Sequence, residues 1–134
     1  MLVNSLARIE FLSDTVEGRM HDKALADMTP YPLPAGSELV QDLGFLGFSL
    51  DGVRITIPHK KPKGGELTED QKAENRVIAR RRVRIEHIIS SVKRCAIVTR
   101  RIRLPADDIR DVVMEICCAL HNLRVRLSPW QPLT

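Results

Sequence analysis

Residues 84–94 read RIEHIISSVKR, and this stretch decides how the second half of the chain folds. Apolar side chains recur there every three or four residues, which is the spacing of one face of an α-helix. We therefore predict a helix from Thr68 to about Cys95, with Thr68 as its N-cap and Gln71 completing a capping box. The predicted apolar stripe of this helix consists of Ile78, Ile85, Ile89 and Val92.

Positive charge surrounds this stretch. Between Arg76 and Arg103 the chain has ten Lys or Arg residues and one acid, Glu86, whereas the rest of the chain is acidic overall. Clustered cations of this kind favour a polyanionic partner. Aromatic residues make up only 4% of the chain, so we expect phosphate contacts to duplex DNA rather than base stacking. A solvated helix face is the alternative for the same pattern.

Length and composition predict one globular domain of 134 residues, with 43% hydrophobic and 28% charged residues. No apolar run approaches the roughly 18 residues needed to cross a bilayer, and the N-terminus has no secretion-signal pattern. Three cysteines, of which Cys117 and Cys118 are adjacent, form no disulfide framework. We expect a cytoplasmic chain with reduced thiols and no membrane partner.

Short strands alternate with helices along the chain, which predicts the α/β class. Strands are expected at Leu2–Val3, Ala7–Leu12, residues 37–42 and Gly52–Ile57. A short helix over residues 19–28 should end at Thr29-Pro30. The last helix has the clearest apolar face, which we expect to pack against another element: Ile109, Val112, Val113, Ile116, Cys117, Leu120 and Leu123.

Two acidic residues stand where a divalent cation site is expected. Asp42 ends a predicted strand before a glycine turn, and Glu86 lies on the basic helix at the shoulder of its apolar stripe, which predicts a half-buried side chain. Hard cations such as Mg²⁺ bind carboxylate oxygens, and nucleases use two such cations to act on a phosphodiester. The alternatives are a turn residue for Asp42 and a surface ion pair with Arg82 for Glu86.

A histidine and a cysteine in the last predicted helix raise a second metal hypothesis. His121 lies four residues after Cys117, so both could face one ion. Two ligands do not make a zinc site, and no CxxC pair accompanies them. We therefore predict core cysteines and a buried, hydrogen-bonded histidine instead.

The order of several motifs resembles a known family. The three stretches are QDLGFLGF (residues 41–48), KPKGGELTEDQKAENRVIARRRVRIEHIISSVKR (61–94) and RDVVMEICCALHNLRVR (110–126). They resemble the C-terminal half of DDE-type transposases of bacterial insertion sequences, in the branch that shares its nuclease domain with Harbinger-type elements. The resemblance implies a ribonuclease-H-like α/β fold with long C-terminal helices. It also implies DNA transposition by metal-dependent strand cleavage and transfer.

The resemblance also implies roles for individual residues. Asp42, in an Asp-x-Gly-Phe setting, and Glu86, in an Arg-x-x-Glu helix, match two catalytic ligands of Mg²⁺ or Mn²⁺. His21-Asp22 matches a family element with a structural or supporting role. The expected partner is double-stranded DNA at transposon ends, with self-association or a full-length transposase as further partners. Phosphate contacts are expected from Arg80, Arg81, Arg82, Arg84, Lys93 and Arg94.

One departure from the family pattern bears on activity. The family's first Asp, at the end of the first central strand, has no counterpart here. Asp14 and Asp51 are poor substitutes, because Asp14 falls after the third strand and Asp51 follows the second ligand, whereas the motif requires an earlier strand. That strand would lie between the early hairpin and the strand ending at Asp42, so we expect an incomplete ribonuclease-H-like fold. We predict that this chain alone does not cleave or join DNA. The open alternative is a non-enzymatic DNA-binding or regulatory transposase remnant, either truncated or half of a frameshifted product.

Overall fold

The computed structural model describes residues 1–16, 18, 20–100 and 107–131. These residues form three α-helices and four short strands, which confirms the mixed α/β class. The chain divides into two compact units. The terminal unit comprises Met1–Thr15 and Arg81–Thr134, and the central unit comprises Val16–Arg80. A single domain over residues 1–134 stays a prediction.

A small hairpin opens the terminal unit. Strand β1 (Leu2–Val3) pairs antiparallel with β2 (Ile9–Phe11). Between them, the side-chain oxygen of Asn4 accepts hydrogen bonds from the backbone N–H groups of residues 6 and 8. The predicted strand began at Ala7, but β2 begins two residues later because Ala7 has a left-handed backbone with φ of 64°. That conformation belongs to a turn and not to a strand.

Two long helices supply the rest of the terminal unit. Helix α2 (Glu69–Lys93) belongs to this unit from residue 81 onward, and α3 (Asp107–Leu127) follows a short 3₁₀ turn at Ala96–Thr99. The side chains of β2, α2 and α3 form one apolar core. Its buried members are Ala7, Ile9, Ile88, Val92, Cys117 and Cys118.

The predicted stripe of α2 was partly wrong. Ile78 and Val92 are buried and Ile85 is half-buried, as expected. The fully buried residue in its second half is Ile88, which the prediction omitted, whereas Ile89 is exposed. Both residues are apolar and differ by about 100° around the helix, so spacing alone could not decide which one faces the core.

The predicted packing face of α3 was also wrong in large part. Cys117 is buried, and Ile109 and Val113 are half-buried, but the other predicted core residues are exposed: Val112, Ile116, Leu120 and Leu123. The face that enters the core carries Cys117, Cys118, His121 and Val125. Hydrogen bonds from two polar side chains fix the rotation of α3 about its own axis, because Asn122 and His121 both bond to the backbone of the hairpin.

The Asn122 anchor also protects the outer edge of the hairpin. Its side-chain oxygen accepts from the N–H of Ile9 at 2.8 Å, and its side-chain nitrogen donates to the carbonyl of Ile9 at 2.9 Å. The amide thereby occupies backbone groups of β2 that a further strand would otherwise use. The hairpin is therefore tied to a helix more than a hundred residues away in the sequence.

The central unit contains one helix and one parallel strand pair. Helix α1 (Asp22–Met28) ends at Thr29, close to the predicted stop. Strand β3 (Glu38–Val40) pairs parallel with β4 (Arg54–Thr56). The buried side chains of this unit are Ala26, Gln41, Phe48 and Ile78, and the ring of Phe48 meets that of Tyr31 edge to face.

The beginning of α2 lies in the central unit and confirms the predicted capping box. The N–H of Gln71 donates to the Thr68 hydroxyl at 3.2 Å, and the N–H of Thr68 donates to the Gln71 side chain at 3.0 Å. One turn later, Asn75 exchanges two hydrogen bonds with the backbone of His59. These contacts attach the loop after β4 to the first turns of α2.

Over the part of the chain that the structure describes, no helix combines the length and the apolar character that crossing a membrane requires. A cytoplasmic location stays a prediction.

Candidate metal and nucleic-acid site

Asp42 caps a short 3₁₀ turn in the central unit. The turn spans Leu43–Phe45, and the Asp42 carboxylate accepts a hydrogen bond from the N–H of Leu43. Strand β3 ends two residues earlier, although Gln41 still donates from its N–H to the carbonyl of Thr56. Asp42 is half-buried. Asp42 is therefore a turn residue, which was the alternative considered from the sequence. Its carboxylate lies just after the end of β3.

Asp22 lies beside this turn, and the structural or supporting role that the resemblance implied for it stays a prediction. It is the first residue of α1, and its carboxylate lies against Gly44. A Cβ at residue 44 would lie 3.1 Å from Oδ2 of Asp22, so only glycine fits without displacing that side chain. The glycine two residues after Asp42 was the sequence signal for this contact with Asp22, because a glycine in a turn often marks the close approach of another group.

Glu86 lies in the terminal unit, on the part of α2 that follows residue 80. Its side chain is exposed, which corrects the half-buried position expected from the helical wheel. The ion pair with Arg82 considered from the sequence does not form, and Glu86 has no hydrogen-bond or ion-pair partner among the described residues. Its carboxylate is therefore open to solvent and to ligands.

The six basic residues predicted to contact DNA differ in exposure. Arg80, Arg81, Lys93 and Arg94 are exposed, whereas Arg82 and Arg84 are half-buried. Arg80 belongs to the central unit and the others belong to the terminal unit. The four ion pairs of the described residues involve other cations, Lys23, His59, Lys61 and Lys72. Arg80, Lys93 and Arg94 can therefore reach phosphate without first breaking an ion pair of this set.

Arg84 already has an internal role. Its guanidinium lies 6.0 Å from the centre of the Trp130 ring and donates a hydrogen bond to the carbonyl of Gln131. Its Nε is buried and has no partner among the described residues. A cation stacked on an aromatic face is partly withdrawn from solvent. This geometry favours the exposed basic residues over Arg84 as DNA contacts.

His121 is a buried polar anchor. Its Nε2 donates to the carbonyl of Ala7 at 2.8 Å, and its Nδ1 lies 2.9 Å from the hydroxyl of Ser91. Arg124 donates to the backbone carbonyl of Ser91. Because a carbonyl only accepts, Nε2 must carry a proton, which leaves Nδ1 to accept from Ser91 in the neutral ring. Both nitrogens are occupied, in agreement with the prediction of a hydrogen-bonded core histidine.

The three cysteines of the terminal unit are free thiols. Burial raises the pKa of Cys117 to about 11, and a hydrogen bond with Cys95 adds to this shift. Burial likewise raises the pKa of Cys118. A thiol with a raised pKa is protonated at neutral pH and therefore is a poor nucleophile and metal ligand.

The carboxylates fit a hard cation in chemical type but not in number. Asp42 belongs to the central unit and Glu86 to the terminal unit. Over residues 1–16, 18, 20–100 and 107–131, no three His, Cys, Asp or Glu side chains are grouped so that they could hold a metal ion. Asp14 and Asp51 are both exposed. A two-cation centre of three carboxylates is not assembled from the described residues.

Comparisons with known proteins place the chain in a family. A family model described as DDE superfamily endonuclease matches residues 1–122. A probable transposase for insertion sequence element IS702 from Microchaete diplosiphon is 31% identical over 77 residues. That match covers 58% of this chain and 28% of the relative, so the chain spans well under half of the relative's length. No solved structure matches the chain.

The family match includes both Asp42 and Glu86, the basic part of α2 and most of α3. It extends over far more than half of the sequence, as the order of the motifs had indicated. The chain therefore belongs to the DDE superfamily endonucleases.

Proposed function

We propose that this chain is part of the catalytic domain of a DDE transposase, which acts in DNA transposition by metal-dependent strand cleavage and transfer. The observation that carries the proposal is Glu86. It is the one acid among ten cations between Arg76 and Arg103, and it has no partner among the described residues. A carboxylate left open beside so many cations is suited to bind a divalent ion next to a bound polyanion.

The proposed fold is the ribonuclease-H-like fold without its first central strand. An antiparallel pair, a separate parallel pair and two long helices near the C-terminus support it. Asp42 and Glu86 would be ligands of Mg²⁺ or Mn²⁺, and the described residues contain no group of three potential metal ligands. When bound, divalent cations in such a centre polarise the phosphodiester. The protein's own contribution would be to hold the DNA backbone with exposed cations on α2 and just after its end, above all Arg80, Lys93 and Arg94.

DNA binding is tested with a charge-neutralised variant and a matched control. Replacing Arg80, Lys93 and Arg94 with Gln should weaken duplex binding and lower the slope of log K against log salt by up to about 0.9 for each phosphate that is no longer neutralised. The control replaces Arg8, Arg54 and Arg110, which are exposed cations elsewhere in the chain. Fluorescence anisotropy at several salt concentrations measures both. Equal weakening of binding in the two variants would refute a dedicated DNA surface on α2.

The cation site is tested separately from DNA binding. Mn²⁺ or Mg²⁺ should raise the melting temperature of the unmodified chain by binding the folded state. Asp42→Asn and Glu86→Gln should each remove this increase, whereas Asp51→Asn, at an exposed turn position, should retain it. If the cation raises the melting temperature equally in the unmodified chain and in all three variants, Asp42 and Glu86 do not bind it.

A second candidate is a non-enzymatic DNA-binding or regulatory relative of a transposase. It is favoured because the described residues do not group three acids. Cation-dependent stabilisation through Asp42 and Glu86 distinguishes the candidates, because only the first one retains a cation site. A nicking assay on supercoiled DNA with Mg²⁺ or Mn²⁺ tests the expected inactivity, and we expect no turnover from this chain alone. Turnover that Glu86→Gln abolishes would show an active enzyme and would contradict the expected inactivity.

A further inference from the structure

Helix α3 has a second apolar face that its own unit does not cover. Five large apolar residues remain exposed on it: Val112 (51%), Ile116 (55%), Leu120 (42%), Leu123 (49%) and Leu127 (76%). At about 100° per residue they fall within an arc of roughly 80°, and the centre of this arc is about 150° from that of the buried face. We call these five residues the α3 stripe. A helix that is apolar on two opposite faces is typical of one packed on both sides.

The exposed apolar residues of the other long helix, α2, do not form a comparable surface. On α2, Val77, Val83 and Ile89 are exposed, but their spacing of six residues distributes them around the helix. The α3 stripe is continuous over four turns of helix and exposes roughly 500 Å² of apolar surface, the size of the largest patch on a typical monomer. Two such surfaces would bury about 1,000 Å² together, which reaches the lower limit for a specific interface.

The α3 stripe is symmetric about its own centre. Val112 and Leu127 lie equally far on either side of the midpoint between Ala119 and Leu120, and so do Ile116 and Leu123. Two copies related by a two-fold axis through that midpoint would therefore match antiparallel, with Val112 of one opposite Leu127 of the other. Ala119 is exposed at the centre, and its small side chain permits close approach of the two helices.

The charges beside the stripe favour the same orientation. The first half of α3 carries the acids Asp108, Asp111 and Glu115 and one cation, Arg110, and the last turns carry Arg124 and Arg126. Antiparallel packing places this mainly acidic half against the basic end of the other copy, whereas parallel packing places like ends together. Glu115 and Arg126 flank the stripe on the same side, and in the antiparallel arrangement Glu115 of each copy lies about two residues, roughly 3 Å along the axis, from the level of Arg126 of the other.

We propose that the α3 stripe binds the same stripe of a second copy of this chain, antiparallel and two-fold symmetric, with Glu115 and Arg126 pairing across the interface. Such an interface is isologous, so it closes at a dimer. The inference rests on the shape, symmetry and charge of α3, and it does not depend on the proposed function.

Sedimentation equilibrium of the full chain tests the stripe. The unmodified chain should dimerise at concentrations up to about 100 µM, within the range typical of small interfaces. Ile116→Asp with Leu123→Asp should make it monomeric while circular dichroism shows an unchanged helix content. The control introduces Asp at Leu6 and Ile97, which are equally exposed apolar positions off the stripe, and it should still dimerise. A monomeric unmodified chain, or a dimer that survives the stripe substitutions, overturns the proposal.

Charge reversal tests the orientation without changing the apolar surface. Glu115→Arg alone, or Arg126→Glu alone, places like charges together twice in a symmetric dimer and should weaken dimerisation about tenfold. Combining the two reversals restores the pairing and should restore the dissociation constant. If the double reversal is as weak as the single ones, the antiparallel arrangement is wrong. These surface substitutions leave the buried face of α3 intact, so loss of folding cannot produce the rescue pattern.

Discussion

Glu86 and Asp42 are held in place by different kinds of contact. Asp42 lies in a turn that its own bond to Leu43 caps locally, and the carboxylate of Asp22, from α1, lies against Gly44 of that turn. Glu86 has no hydrogen-bond or ion-pair partner among the described residues, and its position follows from the rotation of α2 about its axis, which the burial of Ile88 and Val92 determines. One acid is therefore positioned locally and the other through a hydrophobic core.

The same contrast separates the two units. The central unit is held by contacts of shorter sequence separation, such as the bonds between His59 and Asn75, which are 16 residues apart. The terminal unit is held by contacts of very long sequence separation, because His121 and Asn122 bond to Ala7 and to Ile9. Closing long loops costs more conformational entropy, so the terminal unit depends more on a few strong anchors.

The largest expected effect is at His121. His121→Ala removes a fully buried side chain, leaves the carbonyl of Ala7 without its donor and opens a cavity, so the free energy of unfolding should fall by about 3 kcal/mol or more. Chemical denaturation measures this decrease, and hydrogen exchange should show it first in β1 and β2. The control His87→Ala removes an exposed histidine of α2 and should change stability by less than about 0.5 kcal/mol. Equal effects would contradict the anchoring role.

An intermediate effect is expected from two asparagines that make the same bonds in different units. Asn122→Ala should cost about 2 kcal/mol, because it leaves the N–H and carbonyl of the buried Ile9 without partners. Asn75→Ala breaks the equivalent pair with the half-buried His59, whose backbone can turn to water, and should cost about 1 kcal/mol.

The two asparagine substitutions should destabilise different segments of the chain. Hydrogen exchange should increase in the hairpin for Asn122→Ala and in the loop after β4 for Asn75→Ala. If both substitutions loosen the same segments, the two units do not behave as separately stabilised parts.

The smallest expected effect is at the start of α2. Thr68→Ala removes one half of the capping box and should lower the free energy of unfolding by about 0.5 kcal/mol, with fraying confined to the first turns. Thr68→Ser keeps the hydroxyl and is the matched control. Fraying that reaches Ile88 would show that the cap, and not the core, positions the part of α2 that carries Glu86.

Local elements were largely readable from the sequence. The helix beginning at Thr68, the end of α1 near Thr29 and all four strands were predicted, because caps, prolines and alternating side chains act within a few residues. The family could also be predicted from the sequence, because several motifs occur in the order that is typical of the family. The choice of Asp42 and Glu86 as ligands came from the same motifs and stays a prediction.

The amino-acid sequence was sufficient to predict the helices and strands, the basic stretch around Glu86, the buried His121 and the family. Contacts between distant parts of the chain were needed to establish which other residues face the core: Ile88 and not Ile89 on α2, and Val125 rather than Ile116 and Leu120 on α3. The physical reason is that both helices are apolar over more than one face, so periodicity allows several rotations. Hydrogen bonds from His121 and Asn122 to a hairpin more than a hundred residues away select one of them.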